Sequence, residues 1–224
     1  MEKEYEFYGG KTILMDERFF KLTTDTVLLS DFASVRGRGL DLGAGIGCLG
    51  LLVEMRHGAT VDGVEISEGA AALAAKNYER LNASGKIFAS DFRELKIDDK
   101  YDFCVSNPPY FGENTGKCNK SEEISAARHA DCEPLFAAAK RLMKYSGRLY
   151  FCIRADRLIS VFSAMQRQGF SAKRMRFVHD TAESKASLAL IEACRGGDFV
   201  KIEKPLILKD ENGFTKEYCR IYGR

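Results

Sequence analysis

From about residue 38 onward, short apolar runs alternate with stretches whose apolar positions recur at helical spacing. Arg38-Gly39-Leu40-Asp41-Leu42 reads as a short buried strand ending in a glycine turn, and the pattern from Ile46 to about His57 predicts a helix. Thr60–Glu65 follows as a strand, then the alanine-rich run Gly69–Leu81 as a helix with Ser67 placed to cap it. Strands are predicted at Gly85–Ala89 and Tyr101–Ser106, a helix at Glu133–Tyr145, a strand at Arg148–Ile153 and a helix at Ala155–Gln168. Such alternation implies βαβ crossovers and a parallel sheet. The tail breaks the rhythm: Ala172–Val178 and Ser187–Ala193 are strand-like runs joined only by a polar stretch, so they should pair as an antiparallel hairpin at the sheet edge.

The chain of 224 residues suits one domain, with residues 1–37 expected to cover the site and 196–224 to form a C-terminal extension. Hydrophobic residues at 45% and charged residues at 29% fit a globular protein rather than a disordered one. No apolar stretch approaches the roughly 20 residues of a membrane span. The acidic start Met1-Glu2-Lys3-Glu4 lacks the order of a signal peptide, so the cytoplasm is expected. Seven cysteines, none in a Cys-x-x-Cys pair, read as reduced thiols, and Cys118, His129 and Cys132 match no common zinc spacing; no metal is expected.

Net charge is +2 overall, but ten basic residues lie between Lys140 and Arg176 against the single acid Asp156. This density suits a polyanion surface, and it equally suits solvated helix faces.

Leu40-Asp41-Leu42-Gly43-Ala44-Gly45-Ile46-Gly47 follows a strand and opens a helix, where glycines let a ligand approach bare backbone. Gly45 to Gly50 also fits the dinucleotide pattern G-x-G-x-x-G, so the loop alone does not choose the cofactor. Asp41 sits where a pyrophosphate would be repelled but an ammonium welcomed. Glu65, ending the second strand of this series, can accept ribose hydroxyls, and Asp91, after the third, can accept from an adenine amine. Three acids at successive strand ends suit a cationic sulfonium ligand, S-adenosylmethionine, with Gly43, Gly45, Gly47, Ile66, Phe92 and Asn107 completing its site.

Ser106-Asn107-Pro108-Pro109-Tyr110-Phe111 comes directly after the fourth strand of the series. Two prolines remove two backbone donors and stiffen the turn, leaving carbonyl acceptors. An exocyclic amine on a heteroaromatic ring is a poor nucleophile because its lone pair is delocalised. The Asn107 side-chain oxygen and the Pro108 carbonyl can hold both amine hydrogens, while Tyr110 offers a stacking face. Asn107, Pro108, Pro109 and Tyr110 are therefore the expected catalytic turn.

This motif resembles that of the amino-methyltransferases with Asn/Asp-Pro-Pro-Tyr/Phe, and the chain is most similar to the bacterial tRNA1(Val) adenine-N6 methyltransferases. Leu22-Thr-Thr-Asp25, Ala127-Arg128-His129, the run Ala186 to Ala193 and the end from Asp210 to Gly223 carry the likeness along nearly the whole chain. The resemblance implies a Rossmann-like class I methyltransferase of α/β class, a mostly parallel seven-stranded sheet with an antiparallel C-terminal hairpin and helices on both faces. It implies Thr24 and Asp25 in the cofactor pocket, and a tRNA substrate methylated on the adenosine 3′ of the anticodon. Phe111, Arg128 and His129 are the expected substrate contacts. Ser187 is small where the family usually carries a larger polar side chain, which weakens an RNA contact from that hairpin.

Protein glutamine N5-methyltransferases share the motif, but an N-terminal helical domain normally precedes their glycine loop, and only about 38 residues do so here. Ribosomal-RNA guanine-N2 or adenine-N6 methylation stays open. A nicotinamide oxidoreductase is disfavoured by the short step from Gly50 to Glu65, and a non-enzymatic RNA-interaction module by the intact catalytic turn. Residues 112–130 are polar, with few apolar anchors, and are expected to order only over substrate. A monomer is expected.

Overall fold

In a computed structural model, which describes residues 2–19, 22–108, 132–197 and 199–223, the chain begins with an antiparallel hairpin of Lys3–Glu6 (β1) and Thr12–Met15 (β2). Thr24–Phe32 (α1) follows, then Arg38–Leu42 (β3), Cys48–His57 (α2), Thr60–Glu65 (β4), Glu68–Arg80 (α3), Ile87–Ala89 (β5) and Tyr101–Ser106 (β6). After the turn come Glu133–Leu142 (α4), Met143–Arg154 (β7), Leu158–Arg167 (α5), Phe170–His179 (β8) and Ala186–Arg195 (β9). The main sheet runs β5-β4-β3-β6-β7-β9-β8; the first five are parallel, and β9 lies antiparallel between β7 and β8. These are the seven strands the sequence predicts. Two more of two residues each, Lys201–Ile202 (β10) and Leu206–Ile207 (β11), pair parallel with β8 and cover the edge that the hairpin would have left open.

Alternation along the strands divides the core. On β7, Tyr150 and Cys152 pack towards α1 and α2, while Leu149, Phe151 and Ile153 pack towards α4 and α5. The same rule places Asp41 opposite to its neighbours Leu40 and Leu42, on the α2 side.

Some boundaries differ from the sequence reading. The predicted helix 133–145 stops at Leu142, because Met143 is fully buried and pairs with Tyr101 in the sheet. The helix predicted from Ala155 opens with a 3-10 turn, Ala155–Arg157, before α5. Ser67 caps α3 as expected, accepting from Ala70 N–H at 3.4 Å.

The N-terminal hairpin is tied to the glycine loop through Asn77. Its carboxamide exchanges bonds with Leu14 N–H (2.7 Å) and Leu14 carbonyl (3.0 Å), and also donates to the Ile46 carbonyl at 3.0 Å. The C-terminal segment carries a small hairpin, Lys209–Asp210 (β12) with Gly213–Phe214 (β13), and Lys216–Ile221 (α6). It returns to α1: Arg220 pairs with Asp31, and the Tyr222 and Thr24 hydroxyls lie 3.1 Å apart. No helix among the described residues is long and apolar enough to cross a membrane.

Candidate active site

The C-terminal ends of β3, β4 and β6 and the start of α1 enclose a cleft of about 360 Å³. Gly43, Ala44, Gly45 and Ile46 form its floor. Asp41, Glu65, Ile66, Phe92 and Asn107 line it, together with Thr23, Thr26, Cys48 and Leu49. The loop can take this path because Gly43, Gly45 and Gly47 adopt φ of 80°, 55° and 87°, a region costly for any residue with a Cβ.

Asp41 is buried beneath the loop. One carboxylate oxygen accepts from Gly50 N–H at 3.1 Å; the other has no partner among the described residues. Burial pushes its pKa up to about 7; the Gly50 bond opposes this and the nearby Glu65 charge adds to it. An orphaned buried acceptor bordering the cleft marks where a cationic group or its water fits. Glu65 braces the loop: its oxygens accept from Gly45 N–H at 2.9 Å and Ser67 N–H at 2.8 Å, each retaining a lone pair for a hydroxyl. The acidic set, the bare loop and the unpaired oxygen together fit S-adenosylmethionine.

Asp91 lies just beyond the end of β5. It borders an adjoining recess of about 300 Å³ rather than the main cleft, sharing Gly43, Glu65, Ile66 and Phe92 with it. Arg93 holds it through backbone and side chain, which keeps its carboxyl below the usual range. Ile66, 66% exposed, and Phe92 link the two spaces as an apolar wall.

Thr24 and Asp25 do not line the cleft; their neighbours Thr23 and Thr26 do. Thr23 caps α1, and a spacing of three puts its hydroxyl beside that of Thr26, 3.1 Å away, on the inner face of the first turn. Thr24 turns outward to Tyr222. Asp25 is half-buried, its carboxyl pushed up by burial, and close enough to Cys152 to raise that thiol further. Gly47 is the N-cap of α2 and does not line the cleft either. The signal for Thr23 and Thr26 was present as a Thr-x-x-Thr spacing at a helix start.

Asn107 emerges at the end of β6 and opens onto the cleft. Its Nδ2 donates to Thr26 Oγ1 at 2.9 Å and Thr23 Oγ1 at 3.4 Å; its Oδ1 accepts from Cys152 Sγ at 3.1 Å. Pro108 follows, half-buried. Pro109, Tyr110, Phe111, Arg128, His129 and the 112–130 loop lie outside the described residues.

Among the described residues, most side chains of the basic stretch are paired. Arg174 pairs with Glu192 and Glu203, Arg176 with Glu217, Arg167 with Glu133, Arg148 with Glu192, Lys144 with Asp102, and Arg154 with Asp156. Arg141 donates to the carbonyls of Phe92 and Arg93. Most of the opposing acids come from outside the stretch, which is why a count along the chain overstated its charge.

Residues 23–169 match the model of the methyltransferase small domain family. A tRNA1(Val) (adenine(37)-N6)-methyltransferase of Bacteroides fragilis is 30% identical over 220 residues, covering 94% of this chain and 92% of the relative. One from Aliivibrio fischeri is 29% identical over 212 residues, covering 89% and 88%. Among solved structures, a predicted O-methyltransferase of Agrobacterium tumefaciens superposes with a TM-score of 0.70 at 21% identity, covering 89% of this chain and 96% of that one. A Thermus thermophilus 16S rRNA N2 G1207 methyltransferase, solved with AdoMet and guanosine, gives 0.61 at 19%, covering 88% and 50%. At those identities the two structures speak for the fold.

Proposed function

Since the chain belongs to the methyltransferase small domain family, and within it to the tRNA1(Val) adenine-N6 methyltransferases, we propose that it methylates N6 of adenosine 37 in tRNA1(Val), using S-adenosylmethionine. The observation that carries this reading is Asn107, an amide at the end of β6 that faces the same cleft as the unpaired Asp41 oxygen.

S-adenosylmethionine supplies a methyl group on a cationic sulfur, an electrophile that leaves a neutral thioether behind. Asp41 and the glycine loop would hold its amino-acid end and Glu65 its ribose, with Ile66 and Phe92 against the adenine. Asn107 Oδ1 and the Pro108 carbonyl accept the two hydrogens of the target amine. This shifts electron density onto nitrogen and points its lone pair at the methyl carbon. The proton leaves only after nitrogen has become cationic, so no strong base is required. Proximity and orientation then supply most of the rate. An adenine in an anticodon loop is already unpaired, so presenting it costs little.

The test is transfer to a tRNA1(Val) transcript, compared with one carrying guanosine at position 37. Methylation is expected on the first and absent from the second; equal methylation of both would move the target elsewhere.

A further inference from the structure

The hydrogen-bond inventory of Asn107 shows what it can offer a substrate. A carboxamide has two N–H donors and two acceptor lone pairs on oxygen. Both donors are spent, on Thr26 and Thr23, and one lone pair is taken by the Cys152 thiol. A single acceptor site remains. We propose that Thr23, Thr26 and Cys152 are positioning residues that lock the Asn107 carboxamide in one flip, so that it meets the target base as an acceptor only.

Three elements supply this lock. Thr23 and Thr26 come from the first turn of α1, Cys152 from the α1-facing side of β7, and Asn107 from the end of β6. Cys152 and Thr26 are 1% and 5% exposed, so solvent does not compete for the bonds these two make, while the Thr23 bond is exposed. Burial, aided by the nearby Asp25 charge, holds the Cys152 thiol well above its ordinary range and keeps it a donor. In the opposite flip, an amide N–H would point at the thiol sulfur, a weak acceptor, and donors would be turned towards the incoming base. An acceptor matches an exocyclic amine and repels a ring carbonyl at the same position. The lock therefore selects amine-bearing bases over keto bases before chemistry begins. The inference rests on the amine-holding role given to Asn107 above.

The test compares kcat, at saturating cofactor, and KM for tRNA1(Val) in the wild type and five variants: Asn107→Ala, Thr26→Val, Thr26→Ser, Cys152→Ala and Cys152→Ser. Thr26→Val and Cys152→Ala should each lower kcat by about tenfold, the order of one lost hydrogen bond, with KM nearly unchanged. The serine variants, which keep a hydroxyl at position 26 and replace the thiol at 152 by another donor, should recover most of that loss. The proposal is overturned if Thr26→Val and Cys152→Ala match the wild type while Asn107→Ala is inactive. It is also overturned if the serine variants lose as much, since that would mark a packing role. Wild-type turnover in Asn107→Ala would instead remove the amine-holding reading itself. Thr26→Val preserves side-chain volume, so its comparison with Thr26→Ser decides the matter should Cys152→Ala not fold.

Discussion

Asp41 accepts the backbone N–H of Gly50 at 3.1 Å through one carboxylate oxygen and leaves the other buried, without a partner among the described residues. The bond ties the end of β3 to the first turn of α2 across the glycine loop. The unpaired oxygen makes the site costly until a ligand arrives. Stability is given up here at the point where a cationic ligand would restore it.

A pH signature follows from that cost. Burial raises the folded pKa of Asp41 from 3.8 to about 7, so between those values the folded chain holds a proton that the unfolded chain has released. Stability from this group is fully present below about pH 4 and is lost as pH rises through about 7. The urea midpoint of the wild type, minus that of Asp41→Asn, should fall between pH 5 and pH 8. A flat difference would show that Asp41 ionises normally.

Gly50 and Tyr78 form a second coupled pair. A Cβ on Gly50 would lie 2.0 Å from the Tyr78 hydroxyl oxygen, which is buried with no partner among the described residues. Gly50→Ala should destabilise the protein by about 1–3 kcal/mol through overpacking. Tyr78→Phe should be neutral or stabilising, and should relieve most of the Gly50→Ala loss. Urea unfolding of the two single variants and the double variant measures the coupling.

Arg174 should matter to stability rather than to RNA. Its guanidinium is 20% exposed, pairs with Glu192 and Glu203, donates to the Phe32 carbonyl at 2.6 Å and stacks over the Phe32 ring at 3.9 Å. Arg174→Ala removes the partner of Glu203, leaves Glu192 with Arg148 alone, and should cost about 1–3 kcal/mol in unfolding free energy. Affinity for tRNA, read by fluorescence anisotropy, should stay close to the wild type.

Binding and turnover should separate within the cleft. Asn107→Ala is expected to reduce kcat by at least about a hundredfold, with S-adenosylhomocysteine affinity little changed. Glu65→Ala should do the reverse, weakening S-adenosylhomocysteine by about tenfold, since it removes the ribose contact proposed above and the brace on Gly45. Calorimetry and steady-state kinetics on the same preparations check both.

The fold was legible because each parallel strand is a short, mostly apolar run and each connecting helix has its own period. The glycine loop and the Asn107 turn were legible because their residue types are unusual in that order. Three things were not. Met143 leaves the helix for the sheet because of burial against Tyr101, which no local pattern records. The acids that neutralise the basic stretch reach it from β6, α4, β9 and the C-terminal segment, so their pairing exists only in three dimensions. Cys152 looked like an ordinary core thiol; only its register on β7 brings it to Asn107.

The central claim is methyl transfer to an adenine amine in tRNA. Its most direct test is to incubate the protein with tritiated S-adenosylmethionine and unmodified bulk tRNA, digest the RNA and identify the labelled nucleoside. Label is expected in N6-methyladenosine, and none when Asn107→Ala replaces the wild type. Label in a methylated guanosine, or tRNA left unlabelled while ribosomal RNA or a protein glutamine is labelled, would contradict it.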